Sequence, residues 1–437
     1  MTLCNSHPML FPSFEGLKVE GSFAGGDVSS DGGVQLLRLA DRRLGLSAAL
    51  ARVLPDPRDP LKVEHTVRDL LRQRIYGLAC GYEDLNDHDT LRDDLCWQSA
   101  VERTRALASS PTLCRLEARA DRAAAVAMHG VLVEQFIASH AEPPAELVLD
   151  FDATDDRVHG MQEGRAFHAY YGDWCFLPLS VFCGERMLCA YLRRSNADAA
   201  RHAWAVLKLL VTRLRAAWPA VQITLRADSG FCRWKMLRWC ERHAVGYIVG
   251  QARNARLAAL ASAWTAQAAT QHAATKEKQR LFADLHYAAA SWDKERRVIL
   301  KAEHTAQGSN PRYVVTNLAG DAQTLYDELY CARGEMENRI KEQQLGLFAD
   351  RTSASAWWSN QFRVLLSAAA YVLLEAIRRL GLAGTELARA QVGTIRLKLL
   401  KLGAVIVRNT RRVRLLFSTA YPLQELFVKV AQRLSTA

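Results

Sequence analysis

The chain has 437 residues, 49% of them hydrophobic, enough to bury a substantial core and to build two or three domains. Its net charge of +11 admits a polyanionic partner without requiring one. Ten scattered cysteines contain no Cys-x-x-Cys pair, which argues against a structural zinc site and against a disulfide framework in a chain this large.

The N-terminal stretch MTLCNSHPMLFPSFEG lacks the basic start and unbroken apolar run of a secretory signal, so reduced thiols and a cytoplasmic setting are expected. Residues 1–28 are read as an extension, and residues 29–143 as a helical domain. VEHTVRDLLRQRIYGLACGYEDL is an apolar-periodic helix carrying several arginines. SSPTLCRLEARADRAAAVAMHGVLVEQFIASH opens with Ser110 as N-cap and Pro111 at the first helical position. EPPAE, Glu142 to Glu146, then interrupts helicity and marks a boundary.

Residues 144–252 change rhythm. ELVLDFDAT is a strand ending in acid, and FLPLSVFCGERMLCAYLRR is a hairpin turning at Cys183-Gly184-Glu185. DAARHAWAVLKLLVTRLRAAW is an amphipathic helix, and VQITLRADSG is a second strand ending in acid. CRWKMLRWCERHA is a helix and GYIVGQA a short apolar strand. If the first and fourth strands are neighbours, Asp150 and Asp152 lie beside Asp228. Residues 253–320 read as a β-rich insertion, with an alanine-rich helix before the short strands RLFADLHYAAASW, RRVILKAEH and RYVVTNL.

Residues 321–380 return to helix and complete the core. The most apolar run, Val364 to Ile377, holds 14 residues and includes Glu375, too short and too charged to cross a bilayer. Residues 381–437 form a basic C-terminal region. From Arg389 to Arg414 it carries Arg389, Arg396, Lys398, Lys401, Arg408, Arg411, Arg412 and Arg414 with no acid, and it reads as a basic hairpin. Its charges serve either phosphate binding or solvation.

The stretch YCARGEMENRIKE, Tyr330 to Glu342, crowds eight polar or charged side chains into a helix. At about 100° per residue, Tyr330, Arg333, Glu337 and Lys341 fall within about 80° of arc. Leu325, Leu329, Met336, Ile340 and Leu347 form an apolar stripe about a quarter turn away. Glu335 and Glu342 are expected to face water. A solvated helix with Arg333–Glu337 and Glu337–Lys341 pairs would gain only a few tenths of a kcal/mol from each. The tyrosine on that face and the acids at two strand ends favour a chemical role for Glu337.

Taken together, LVLDFDATDD, LRADSGF and YCARGEMENRIKE resemble the three acidic blocks of DDE-type bacterial insertion-sequence transposases. The particular likeness is to the group whose helix carries a Tyr-Arg-Glu-Lys signature. RYVVTNL, ADRTS and NQFRVLLSAAAYVL resemble further blocks of that group, and the likeness extends from Ser29 to Leu426. It implies an α/β fold: a ribonuclease H-like mixed-sheet catalytic core with a β-rich insertion, preceded by a helical N-terminal DNA-recognition domain.

The resemblance also implies site residues. Asp152, Asp228 and Glu337 would be the catalytic and metal-binding acids, with Asp152 bridging two Mg²⁺ ions (or Mn²⁺) and each of the others holding one. Asp150 is the main rival for the first position, with Asp155 and Asp156 behind it. Tyr330 and Arg333 would hold DNA phosphates. Where the signature lysine belongs, this chain has Gln344, and Lys341, about one turn earlier, is the candidate replacement. Trp292 in the insertion, or failing it Trp264, would stack on a flipped base unless it is a core tryptophan. His159 and His168 are read as structural. The implied partners are double-stranded DNA, as terminal inverted repeats and target, and a second copy of the chain in the DNA complex. The implied location is the bacterial cytoplasm at the nucleoid. The competing readings are a related metal-dependent nuclease and a domesticated DNA-binding protein.

Overall fold

ELVLDFDA, QITLRA and GYIVGQ are near-continuous apolar runs, the pattern of strands covered on both faces. In the computed structural model, which describes residues 8–436, they lie at the middle of one mixed sheet. Met1 to His7, with Cys4 and the first half of the N-terminal stretch, lie outside the described residues.

The core strands are β1 (Glu146–Ala153), β2 (Leu179–Cys183), β3 (Arg186–Tyr191), β4 (Gln222–Ala227) and β5 (Gly246–Gln251). Their order across the sheet is β3-β2-β1-β4-β5. β4 runs parallel to both β1 and β5, and β2 is antiparallel to β1 and β3. This is the expected ribonuclease H-like mixed sheet. The β2–β3 hairpin turns where expected, with Cys183 opposite Arg186 and Gly184 at a φ of 58°.

The inserted strands are β6 (Gln279–Tyr287), β7 (Arg296–Thr305) and β8 (Arg312–Thr316). They make no sheet of their own. β8 pairs with β5, β7 with β8 and β6 with β7, all antiparallel, so the insertion widens the core sheet. Between β1 and β2 the chain adds to the expected core a small three-stranded sheet, built from Asp156–Arg157, Ala166–His168 and Asp173–Phe176.

Helices α1 (Arg122–Ala138), α2 (Ala203–Ala217) and α3 (Trp234–Arg242) belong to the same body as this sheet. Phe136, Leu207, Leu214 and Leu237 join Leu149, Phe151 and Leu225 in one buried cluster. Ile248, Ile299 and Val314 form a second cluster with Ala322 and Tyr326, which seats the start of the signature helix. No helix of the described residues is long and apolar enough to cross a membrane.

Packing divides the chain into two compact units, residues 118–372 and residues 1–117 with 373–437. These divisions differ from the expected segments. The helix expected to run on from Ser110 breaks, and Asp121 caps a new helix by accepting from the Ala124 amide at 2.8 Å, so α1 belongs with the sheet. The basic C-terminal residues join the N-terminal helices. Ala404–Arg408 pairs with Val413–Phe417, the expected hairpin, and also with Val28–Ser29.

Several of the tail's cations are spent on that packing. Lys401 pairs with buried Asp31 at 2.9 Å, and Arg396 donates to the carbonyls of Leu78 and Ala79 at 3.1 and 2.9 Å. Arg408 donates to Gln98 at 2.9 Å. Arg411, Arg412 and Arg414 remain exposed. A helix at Gln424–Ser435 follows, where the sequence offered only a basic tail.

Within this unit Glu102 receives Arg72 at 2.6 Å and Arg42 at 2.5 Å, while Arg72 also reaches buried Asp41. Burial pushes the Glu102 carboxyl up, but the Arg72 and Arg42 guanidiniums outweigh it and hold the pKa at about 2. A folded-state pKa below the unfolded one gives stability that is present above pH 4.5 and is lost as pH falls toward 2. Glu102→Gln should therefore lose less stability than the parent protein across that window. Thermal unfolding followed at intervals from about pH 5 to 2 checks this, and parallel curves would refute it.

Candidate active site

The register of β1 on β4 sets Asp150 opposite Arg226 and Phe151 opposite Ala227. One step further, Asp152 and Asp228 stand at adjacent ends of parallel strands. Because side chains alternate along a strand, Asp150 shares a face with Asp152, and Arg226 with Asp228.

Asp150, the rival acid, is taken. Arg226 grips it with two bonds, Nε to Oδ1 at 2.5 Å and Nη2 to Oδ2 at 2.7 Å, and both side chains are buried. The remaining guanidinium nitrogen, Nη1, donates to the carbonyl of Leu329 at 2.6 Å. That carbonyl lies in a π-turn, Leu325–Tyr330, at the start of the signature helix. A π-turn alters the usual backbone pairing of a helix, and Arg226 supplies a donor there. One arginine thus fastens β1, β4 and the helix together, one residue before Tyr330.

After the π-turn come a 3-10 turn, Cys331–Arg333, and helix α4 (Gly334–Lys341). Arg333 reaches toward β1: its Nη1 is 3.6 Å from Asp152 Oδ1, and its Nη2 donates to Glu337 Oε1 at 2.7 Å. Asp152 also accepts from the Ala153 amide at 3.0 Å. Its side chain is 13% exposed, against 46% for Glu337. Burial pushes the Asp152 carboxyl up to about 6; Arg333 opposes the rise, and Asp228 and Glu337 add to it. The three acids therefore share one field, with a guanidinium between two of them.

Asp228 caps a short turn, Ser229–Phe231, by accepting from the Gly230 amide at 2.9 Å, which leaves its other oxygen for a second task. Tyr330 lies against the end of β5. A Cβ built on Gly250 would fall 2.7 Å from the Tyr330 hydroxyl and 2.9 Å from the Ser229 amide nitrogen, so only glycine fits there. Burial raises the Tyr330 hydroxyl pKa, partly offset by Arg333.

The model of a family described as "Transposase DDE domain group 1" matches residues 11–437. The chain belongs to this family. It is thus a DDE-type transposase, a class of enzyme that uses divalent metal ions. No curated protein matches it. Among solved structures it is similar to a piggyBac transposase synaptic complex with hairpin DNA, seen by cryo-EM, at 10% identity and a TM-score of 0.43. That match covers 85% of this chain and 80% of the other, a likeness too slight to bear on function.

The transposase's acids suit a hard divalent cation in kind: three carboxylates with no thiolate or imidazole among them. They are not drawn together as a closed cage, and no group of three His, Cys, Asp or Glu side chains among the described residues stands ready around one point. Instead the Arg333 guanidinium supplies positive charge between Asp152 and Glu337. The donor set fits the ion, with an arginine as its present counter-charge.

Two expectations fail. Glu342, placed on the solvent side of an ideal helix, is buried and receives Arg339 at 3.0 Å. Beyond Lys341 the helix opens into another π-turn, Glu342–Gly346, which breaks the 100° spacing, and helix α5 (Trp357–Ala376) covers that side. Gln343 donates to the Val364 carbonyl at 3.5 Å, and its own carbonyl accepts from Ser367 at 3.4 Å. Glu335 is exposed, as expected.

Trp292 is also misplaced for base stacking. It sits in the β6–β7 turn, which the pairing of Arg297 with Thr316 and of Thr316 with Ile248 puts near the start of β5. The acids lie at the opposite end of the sheet. Trp292 packs edge-on to Tyr287 at 5.4 Å, under the Arg296 guanidinium, and Trp264 packs on the same core.

Gln344 donates to the Asp155 carbonyl at 2.6 Å, so it ties the helix to the segment after β1. Lys341 is exposed and pairs with no acid among the described residues. Asp156 is buried and occupied by Thr352, from which it accepts at 2.9 Å, and Asp155 is 3.9 Å from Arg157. His159 is exposed and His168 packs against Tyr171. Arg226 and Gly250 are site residues that the sequence pattern alone does not single out. Arg226 stands two residues before Asp228, and that spacing was the available signal.

Removing one partner of the Asp150–Arg226 pair strands a buried charge. Arg226→Ala should cost about 3–5 kcal/mol in denaturant unfolding. Asp150→Leu combined with Arg226→Met should cost clearly less, because no unpaired charge remains. Equal losses would show that the pair matters only through its volume.

Proposed function

We propose that this transposase binds the terminal inverted repeats of an insertion sequence, cleaves the element's ends and joins them to target DNA. The observation that carries the reading is the meeting of Asp152 and Asp228, at adjacent ends of parallel strands, with Arg333 and Glu337 of the signature helix. Asp152, Asp228 and Glu337 would hold two divalent ions, for which Mg²⁺ is the fitting choice. When bound, such ions neutralise phosphate charge and activate an oxygen nucleophile.

The chain's own side chains do the rest. Arg333, released from Asp152 and Glu337, presents a planar fork that matches two phosphate oxygens. The Tyr330 hydroxyl, kept protonated by burial, donates to a phosphate beside the scissile one. Lys341, exposed one turn beyond Glu337, supplies a point charge along the DNA backbone. Gln344, held by the Asp155 carbonyl, anchors the helix where the group's lysine would reach DNA.

The unit formed by the N-terminal helices and the C-terminal hairpin is assigned to repeat recognition, with Arg411, Arg412 and Arg414 as its exposed cations. Two protomers would pair on DNA to bring both element ends together. A hairpin intermediate on the element end is the expected route, in keeping with the signature group.

With Mg²⁺, the purified protein should cleave duplexes carrying the inverted repeats that border its gene. Asp152→Asn, Asp228→Asn and Glu337→Gln should reduce cleavage to background while leaving repeat binding intact. Arg333→Lys keeps the charge but loses the fork. At about 1.5–3 kcal/mol for a charged hydrogen bond, its rate should fall roughly 10- to 100-fold. Repeat-specific binding without cleavage under any divalent ion would instead identify a domesticated DNA-binding protein.

A further inference from the structure

Beside the acids, and sharing Tyr330 with them, lies an open basin of about 650 Å³ whose walls include Arg253, Lys301, Asn310, Arg312 and Tyr326. Its position follows from the sheet. β5 ends at Gln251, opposite Tyr313 near the start of β8, so Arg253 and Arg312 project from neighbouring strand ends. This is the end of the sheet at which Asp228 stands. The inserted strands therefore carry cations to the very edge that holds the acids.

The charges in the basin are not equivalent. Lys301 is paired with Glu303 at 3.1 Å, a carboxylate it shares with Lys278 at 2.7 Å. Arg253 is exposed and bonds the neutral amide of Asn310. Arg312 is exposed as well, and neither arginine pairs with a carboxylate among the described residues. Arg312 lies close enough to act electrostatically on the hydroxyls of both Tyr326 and Tyr330. Those two rings meet at 5.5 Å and make an aromatic wall. Two unneutralised guanidinium forks, an amide and an aromatic wall form a surface suited to phosphodiester oxygens and the sugars between them.

We propose that this basin is a second DNA-backbone site, in which Arg253 and Arg312 hold phosphates of the strand that continues past the one at Tyr330 and Arg333. The inference rests on the transposase reading above and adds the path of the DNA out of the acid cluster. It assigns the insertion a role in binding that does not depend on Trp292.

For every phosphate that a protein no longer neutralises, the slope of log affinity against log salt becomes shallower by about 0.9. The full chain is titrated with a duplex that carries one element end and its flanking sequence, at several salt concentrations. The Arg253→Ala, Arg312→Ala double variant should bind more weakly, with the slope reduced by about 2. The double Arg→Lys variant should recover most of the slope, since a point charge still meets the phosphate. An alanine double variant that melts like the parent and keeps the parental slope would overturn the basin as a DNA site. A parent protein that binds no duplex at all would overturn the transposase reading itself, a distinct result.

Discussion

The buried pair of Asp150 and Arg226 is the interaction on which the site depends. Two charges withdrawn from water are costly, and the cost is offset only when every hydrogen-bonding position is met. Here both carboxylate oxygens are gripped, and the spare guanidinium nitrogen is satisfied by the Leu329 carbonyl. The signature helix must therefore dock in one place. Tyr330 follows that carbonyl directly, and Arg333 and Glu337 follow within about two turns. The acid that rivals Asp152 as a metal ligand on β1 is the one that holds the frame.

The second determinant is that the insertion extends the core sheet. A separate sheet could have hung anywhere. A continuous ladder from β5 through β8, β7 and β6 fixes which loops reach the acids and which do not. The turn with Trp292 is carried to one end, and the strand ends with Arg253 and Arg312 to the other. Register between strands decides this, and register is set by pairing over distances that a local pattern does not contain.

Much of the core was nevertheless legible. The succession of strands along the chain, the β2–β3 turn and the acids at two strand ends follow from apolar runs and from where they stop, whereas the order across the sheet came from the family resemblance. Glu337 was separable from its neighbours because helical spacing held from Arg333 to Lys341. It failed just beyond, where a π-turn and the cover of α5 buried Glu342. The partition of the tail was hidden for a like reason: along the sequence, Lys401 and Arg408 look no different from Arg411 and Arg412. Only the presence of Asp31 and Gln98 beside them makes them part of the packing.

Gly250 carries a last consequence. The space beside its α-carbon is filled by the Tyr330 hydroxyl, from a helix far along the chain. The missing side chain on β5 thus works as a gauge that sets how deeply the tyrosine seats. Drift at either position is coupled to the other: a methyl on the strand would meet that hydroxyl and the Ser229 backbone nitrogen alike, so phenylalanine on the helix, which has no hydroxyl to offer a phosphate, removes only one of the two obstacles. The chain therefore has no small-step route from this geometry to a roomier one that keeps the phenol, and the spacing between the strand edge and the helix is inherited as a unit.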